Sequence, residues 1–339
     1  MVVQPFTDTP SLLSQGTMDD ATATVNESPA VNVSPERRSM VQRTNKDRQD
    51  FYLDLVRELF GSSCSCDECS AGQLRSPKLL CVASHKPDEI VVQPGCRPGL
   101  ISDCGHGIYN AIKLARSTIA YFRRSEDAMD SNQRAHEELF KILFERKRFM
   151  EKLGTPHPSE LIGNDQLSYW VTLLKDIFFF GALENVIISW WDDGQEGQIG
   201  FGDLGNTMSC TLNGERHHLI RIHARSTERP KTTYPRAGAT LAEERLGTIL
   251  HELLHAFLDE FSCRRCPSYF EDLGHAGHGR AWQLVAKAIE EQTLRLLGTE
   301  VYLGRLAAYT MHRQPANQRA PKSYTPSVHD LVSFGFLEL

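Results

Sequence analysis

The order of apolar and polar positions divides the chain into a polar beginning, a helical middle, a short run of strands and a second helical part. A short amphipathic stretch carries Phe51, Leu53, Leu55, Val56 and Leu59. From 107 onward Ile108, Ile112, Ala115, Ile119 and Phe122 recur at helical spacing. A charged helix is predicted over 133–152. Another is predicted over 164–180, with Leu167, Trp170, Val171, Leu174, Ile177 and Phe178 on one side. These three stripes are ordinary core faces and point to no chemistry.

The period then shortens. Residues 186–191, VIISWW, are β-branched and aromatic and end at Asp192-Asp193-Gly194. Residues 207–212 and 215–224 read as two further strands around Asn213-Gly214. An Asn-Gly pair there signals a hairpin, because both turn positions need positive φ. In the second strand His218, Ile220, Ile222 and Ala224 share one face, and Leu219, Arg221 and His223 share the other. Helices are predicted over 240–262, 279–297 and, shorter, 301–312. The expected fold class is α+β, with helices packed on a small, mostly antiparallel sheet. No internal repeat is present.

Residues 1–47 are rich in Ser, Thr, Pro, Asn and Asp and poor in large apolar side chains, which predicts a disordered tail. Residues 48–106 form a cysteine-rich, poorly ordered segment. Cys64, Cys66, Cys69, Cys81, Cys96 and Cys104 fall there, with His85 and His106 among them. Their spacing matches no zinc motif, which leaves an irregular loop with buried thiols or a small structural zinc site. Residues 107–162 are expected to pack as a helical segment on the domain that follows, and 313–339 to form a C-terminal tail.

Across all 339 residues, 37 basic side chains against 43 acidic give a net charge of −6, which excludes wholesale coating of nucleic acid. No apolar run reaches the length needed to span a bilayer, and the first residues lack the basic and apolar regions of a signal peptide. An intracellular protein is the default expectation, with a nuclear location compatible. In a reducing compartment the nine cysteines serve as thiols or metal ligands in preference to a disulfide frame.

The candidate chemistry sits in the helix over 240–262. Residues 251–255 read HELLH. His251 and His255, four apart, lie one above the other on a helix face and can grip one ion. Glu252 projects differently and can take a proton from water activated by the metal. Leu246, Ile249, Leu250, Leu253, Leu254 and Phe257 supply the apolar surface that would fix the helix. A third ligand is needed. Leu258 and Phe261 stand where a metzincin has Gly and His, which excludes that class. Glu290 and Glu291 lack the context of a thermolysin-like ligand. GHGRAW at 277–282 offers His278 where a helix should begin, and His275 is its rival.

HELLHAF followed by GHGRAW resembles the SprT-like metallopeptidases, the family that includes Spartan-type proteases. That family pairs HExxH with a downstream His-Gly and an aromatic residue three positions after the Gly. Here these are His278, Gly279 and Trp282. The resemblance spans about 165–310. It implies a zincin-like catalytic domain, taken as 163–312, with His251, His255 and His278 holding Zn²⁺ and Glu252 as catalytic acid/base. It also implies peptide-bond hydrolysis, with proteins crosslinked to DNA as the leading substrate.

The chain departs from Spartan-type members in one respect: no ubiquitin-binding zinc finger or clamp-binding segment is recognised after the catalytic region. Recruitment through such modules is therefore not expected. Zincin substrates lie extended along an edge strand, and 216–224 is the expected edge, with Arg221 or His223 approaching the substrate. DNA contact is expected through 216–236, where Arg216, Arg221, Arg225, Arg229, Lys231 and Arg236 are opposed only by Glu228. The alternative is a flexible, solvated loop. Cys263 and Cys266 are left as loop thiols, a disulfide clip, or partners of the upstream cysteines. Two other classes compete with a peptidase: a zinc-stabilised module without turnover, against which the intact Glu252 argues, and a hydrolase of non-peptide bonds. A protein substrate is the expected partner; a membrane is not, and the oligomeric state is not legible.

Overall fold

A computed structural model describes residues 94, 107, 109–145, 147–191, 204–224, 239–264, 266, 268–274, 276–311 and 326–337. The expected tail 1–47, all but Pro94 of the cysteine-rich segment 48–106, and most of the basic loop after Ala224 lie outside these residues.

Nine α-helices and three strands are described. In chain order they are α1 (Ala111–Phe122), α2 (Ser131–Glu145), α3 (Lys147–Gly154), α4 (Asn164–Phe178), β1 (Val186–Trp191), β2 (Gly205–Leu212), β3 (Glu215–His223), α5 (Leu241–Phe261), α6 (Tyr269–Leu273), α7 (Arg280–Leu297), α8 (Arg305–Met311) and α9 (Val328–Ser333). The fold class is α+β. The charged stretch read as one helix over 133–152 is two, α2 and α3. The segment read as a tail, 313–339, contains α9, whose Leu331 is buried together with Phe334.

The sheet order is β1-β3-β2. β2 and β3 pair antiparallel through the turn at Asn213 (φ 53°) and Gly214 (φ 85°). β1 pairs with β3 in parallel, Ile188 opposite Ile220. The sheet is therefore mixed, not mostly antiparallel. The hairpin holds β2 on one side of β3, and β1 takes the other side, so β3 is the central strand. The expectation that 216–224 forms an edge is corrected on the same ground: its backbone is paired on both sides, and β2 is the edge next to α5.

Residues two apart on a strand share a face. His218, Ile220 and Ile222 are buried on the face covered by α5, while Leu219, Arg221 and His223 on the other face are half-buried. α5 packs on β2 and β3, α4 on β1, and α7 on α5, α1 and α2. One continuous core joins them through Trp170, Phe178, Phe179, Leu254, Phe257, Phe261 and Trp282, with Phe179 and Phe257 rings 5.2 Å apart. Each such side chain removed from water contributes about 1.5–3 kcal/mol, so this packing holds α5 rigidly.

Two devices set the start of α5. Thr240 Oγ1 accepts from the Glu243 N–H while the Glu243 carboxylate accepts from the Thr240 N–H, a reciprocal cap. Arg245, one turn in, donates to the carbonyls of Leu153, Thr155 and Ala224, tying α5 to the ends of α3 and β3.

The stretch after α7 was expected to be helical from 301. The helix starts at Arg305 instead. Val301 N–H donates to Thr293 Oγ1 (3.2 Å) and Leu303 N–H to Glu290 Oε1 (2.7 Å). Side chains of α7 take these two amides, and 301–304 carries no regular secondary structure.

Candidate metal centre

His251 and His255 lie one turn apart in the middle of α5, and both rings are half-buried. His278 comes from the turn between α6 and α7. Gly274 (φ 71°) and Gly277 (φ 79°) reverse the chain there, and His278 follows directly, next to the first residues of α7.

The three Nε2 atoms form a nearly equilateral triangle. His255 Nε2 is 3.1 Å from His251 Nε2 and 2.9 Å from His278 Nε2, and the third side is 3.0 Å. Ligands on a tetrahedral zinc with bonds of about 2.0–2.1 Å stand about 3.3 Å apart, so the triangle has the size of one face of such a site. Three ring nitrogens converging at this distance are chemically frustrated without a cation: one shared proton can bridge two of them but not all three. The His251–His255–His278 cluster could hold a metal ion, and it is the only such His/Cys/Asp/Glu group among the described residues.

The groups around the triangle suit that role. His251 Nδ1 lies 2.8 Å from the Leu303 carbonyl oxygen. A carbonyl only accepts, so Nδ1 carries the proton and Nε2 keeps its lone pair for a metal. The Trp282 indole, fully buried, lies against all three imidazoles, with ring centroids 4.8 Å from His251, 5.7 Å from His255 and 4.7 Å from His278. Gly277 packs so tightly on His255 that a Cβ there would stand 2.8 Å from Nδ1.

Glu252 is 5% exposed. It is aimed by β2: Thr207 Oγ1 lies 2.7 Å from Glu252 Oε2 and 3.0 Å from its backbone oxygen. Gly205, at the start of the same strand, crosses directly over it. A Cβ at Gly205 would meet Glu252 Cγ and Oε1, both at 2.9 Å, and Thr248 Cγ2 at 2.8 Å. The edge strand can approach the carboxylate only because no side chain stands at that position.

Other candidates fall elsewhere. Glu290 faces 303–305, and Glu291 pairs with Arg123 and Lys287. His275 lies outside the described residues. Arg216 pairs with Asp259 and Glu260 at the end of α5. Arg221 lies on the half-buried face of β3. Arg225, Arg229, Lys231 and Arg236 lie outside the described residues. Cys263 and Cys266 are not joined to each other. Cys266 Sγ accepts from Asn110 Nδ2 (3.3 Å), the residue that caps α1, and the Cys263 N–H donates to Tyr109 O. These two cysteines therefore sit where the chain before α1 runs beside the end of α5.

Sequence reasoning singled out the three histidines, which the structure brings together, and Glu252, which follows the first of them on α5. It missed Thr207, Gly205, Gly277 and the Leu303 carbonyl. Gly277 left a trace, since a glycine just before a ligand suggests a backbone only glycine adopts; Thr207 and Leu303 left none. No helix among the described residues is long and apolar enough to cross a membrane. Comparison with protein-family models, with curated proteins and with solved structures finds no match.

Proposed function

We propose that the protein is a zinc-dependent metalloendopeptidase of the SprT-like, zincin-like type, hydrolysing peptide bonds at the His251–His255–His278 centre. One observation carries this reading: three Nε2 atoms within 3.1 Å of one another, two of them on the same helix as a buried carboxylate bonded to Thr207. Zinc is the favoured ion because three neutral imidazoles and one open position are the usual composition of a catalytic zinc site.

When bound, the metal supplies a Lewis acid that makes water acidic near neutral pH and polarises the scissile carbonyl. The protein's own groups do the rest. Glu252 accepts the proton of the attacking water and passes it to the nitrogen of the leaving amine, so the carboxylate is regenerated in each cycle. Thr207 holds one carboxylate oxygen, Oε2. β2, the free edge beside α5 among the described strands, is the surface on which an extended peptide would add as a further strand. Gly205 lets such a peptide lie close to Glu252. On this proposal the substrate lies on β2, one strand away from the edge expected from the sequence.

Proteins associated with DNA remain the substrate class suggested by the resemblance, with the basic residues after Ala224 as the proposed contact. A zinc-stabilised module without turnover would need neither Glu252 nor its Thr207 partner in place, and both are present. The test is digestion of casein and histones by the full chain, with and without single-stranded DNA. Wild type should cleave, with cleavage abolished by a chelator and by Glu252→Gln while Glu252→Gln retains zinc. Zinc-loaded wild type that cleaves neither substrate, with or without DNA, would favour the non-catalytic module.

A further inference from the structure

A buried carboxylate outside the triad reaches it through the main chain. Glu290 lies on α7, one face of which also carries Gln283 and Thr293 at helical spacing. These three side chains pin the segment 301–305. Thr293 accepts from Val301 N–H, Glu290 Oε1 accepts from Leu303 N–H, and Gln283 Nε2 donates to Arg305 O (3.2 Å). Glu290 Oε2 also accepts from Arg305 Nε at 2.7 Å. Leu303 itself is 2% exposed, and its carbonyl accepts from His251 Nδ1 at 2.8 Å.

We propose that Glu290 is a positioning residue for the metal ligand His251, acting through the peptide groups of Leu303. The Leu303 residue is held by its N–H and transmits that hold through its C=O, which fixes both the direction of the imidazole and the nitrogen that carries its proton. A lone backbone carbonyl in a segment outside any helix or strand would drift by fractions of an ångström. Charge-assisted bonds to a buried carboxylate remove that freedom. Arg305 completes the brace: it binds Glu290 through Nε and the Phe334 carbonyl through Nη1 (2.7 Å), with its guanidinium 5.1 Å over the Phe336 ring. The C-terminal residues around α9, which Arg280 also holds through Asp330 (2.8 Å), are thereby linked to the metal centre. Burial holds the Glu290 carboxyl above its ordinary value, with Arg305 and the Leu303 N–H opposing that in part and Glu291 adding to it.

The inference rests on reading the triad as a zinc centre, and the experiment separates the two. Zinc affinity is measured by chelator competition on the full chain for wild type, Glu290→Ala, Glu290→Gln and Asp130→Asn. Asp130 is a buried carboxylate bonded to Tyr121, Arg124 and the Gln133 N–H. It controls for general loss of stability. In parallel, ¹⁵N-histidine spectra of the metal-free proteins report the His251 tautomer, assigned with His251→Gln.

Glu290→Ala should weaken zinc binding about tenfold, the lower end for groups that orient a ligand. It should also convert the His251 signal from a single Nδ1–H tautomer to a mixture. Glu290→Gln, which keeps an acceptor for Leu303, should recover part of both. Asp130→Asn should lower the melting temperature and move neither. Equal zinc affinity and an unchanged tautomer in Glu290→Ala would overturn the proposal while leaving the zinc centre standing. A wild type that binds no zinc would instead remove the metal reading, and the tautomer comparison would still decide whether Glu290 positions His251.

Discussion

The indole of Trp282 stacks beneath the imidazole of His255, planes 26° apart and centroids 5.7 Å apart, while meeting His251 and His278 nearly edge-on. One buried ring thus forms a floor for all three ligands. It limits each imidazole to the rotamer that faces the shared centre. Trp282→Ala should destabilise the fold by about 3–5 kcal/mol, the usual cost of emptying a large buried aromatic site. Trp282→Phe should cost less and keep the fold, yet weaken zinc binding at least tenfold because the smaller ring cannot touch all three histidines. Chelator competition on Trp282→Phe checks this; wild-type affinity would show that the floor is packing alone.

Gly277 sets the position of His278. Its φ of 79° is a conformation that side chains avoid, and the space a Cβ would fill is already occupied by His255. Gly277→Ala should leave the circular dichroism spectrum close to wild type, since the strain is local to one turn. Zinc content after dialysis should fall severalfold. A variant that holds zinc as tightly as wild type would show that the turn adapts and that His278 does not depend on it.

The three histidines that could hold a metal ion were legible because their signal is local. His251 and His255 are related by helix geometry, and His278 stands beside glycines at a helix start. The α-helical stripes around Trp170 and Leu254 were legible for the same reason. What escaped depends on contacts between distant segments. Nothing within 205–212 announces that Thr207 meets Glu252, forty-five positions away, and nothing in 301–304 shows that its amides bond to α7 and not to the next turn of a helix. The strand order escaped too. Residues 186–191 read correctly as a strand, but whether β1 lies beside β2 or β3, and in which sense, is set by packing on α4 and by the β2–β3 hairpin.

Asp259, at the end of α5, binds Ser209 Oγ (2.7 Å), Arg264 Nη2 (2.6 Å) and Arg216. Burial pushes its carboxyl up, but the Ser209 hydrogen bond and the two guanidiniums outweigh it, so the group lies below its ordinary value. A depressed carboxylate stabilises the fold fully above its unfolded value of about 3.9 and loses that contribution as pH falls through the lower folded value. Asp259→Asn should therefore melt several degrees below wild type at pH 7 in the metal-free protein, and the gap should close progressively below about pH 4. Thermal melts from pH 7 to pH 2.5 test this. A gap that stays constant over the whole range would mean that the residue acts through shape and not charge.

The Thr207–Glu252 contact yields the sharpest test of the proposed chemistry, because it touches the proton-transfer group and no metal ligand. The hydroxyl has one proton, and the 2.7 Å contact to Oε2 is the shorter of its two. Thr207→Val preserves the branched shape and removes the donor. Glu252 then keeps its burial but loses its orientation, and a general base that wanders by a fraction of an ångström transfers protons less efficiently. Thr207→Val should lower kcat on a peptide substrate about tenfold, with KM and zinc content near wild type. Thr207→Ser, which keeps the hydroxyl, should restore most of the rate. If Val and Ser variants turn over equally, the hydroxyl has no part in aiming Glu252. If both lose zinc, β2 instead supports the metal site as a whole.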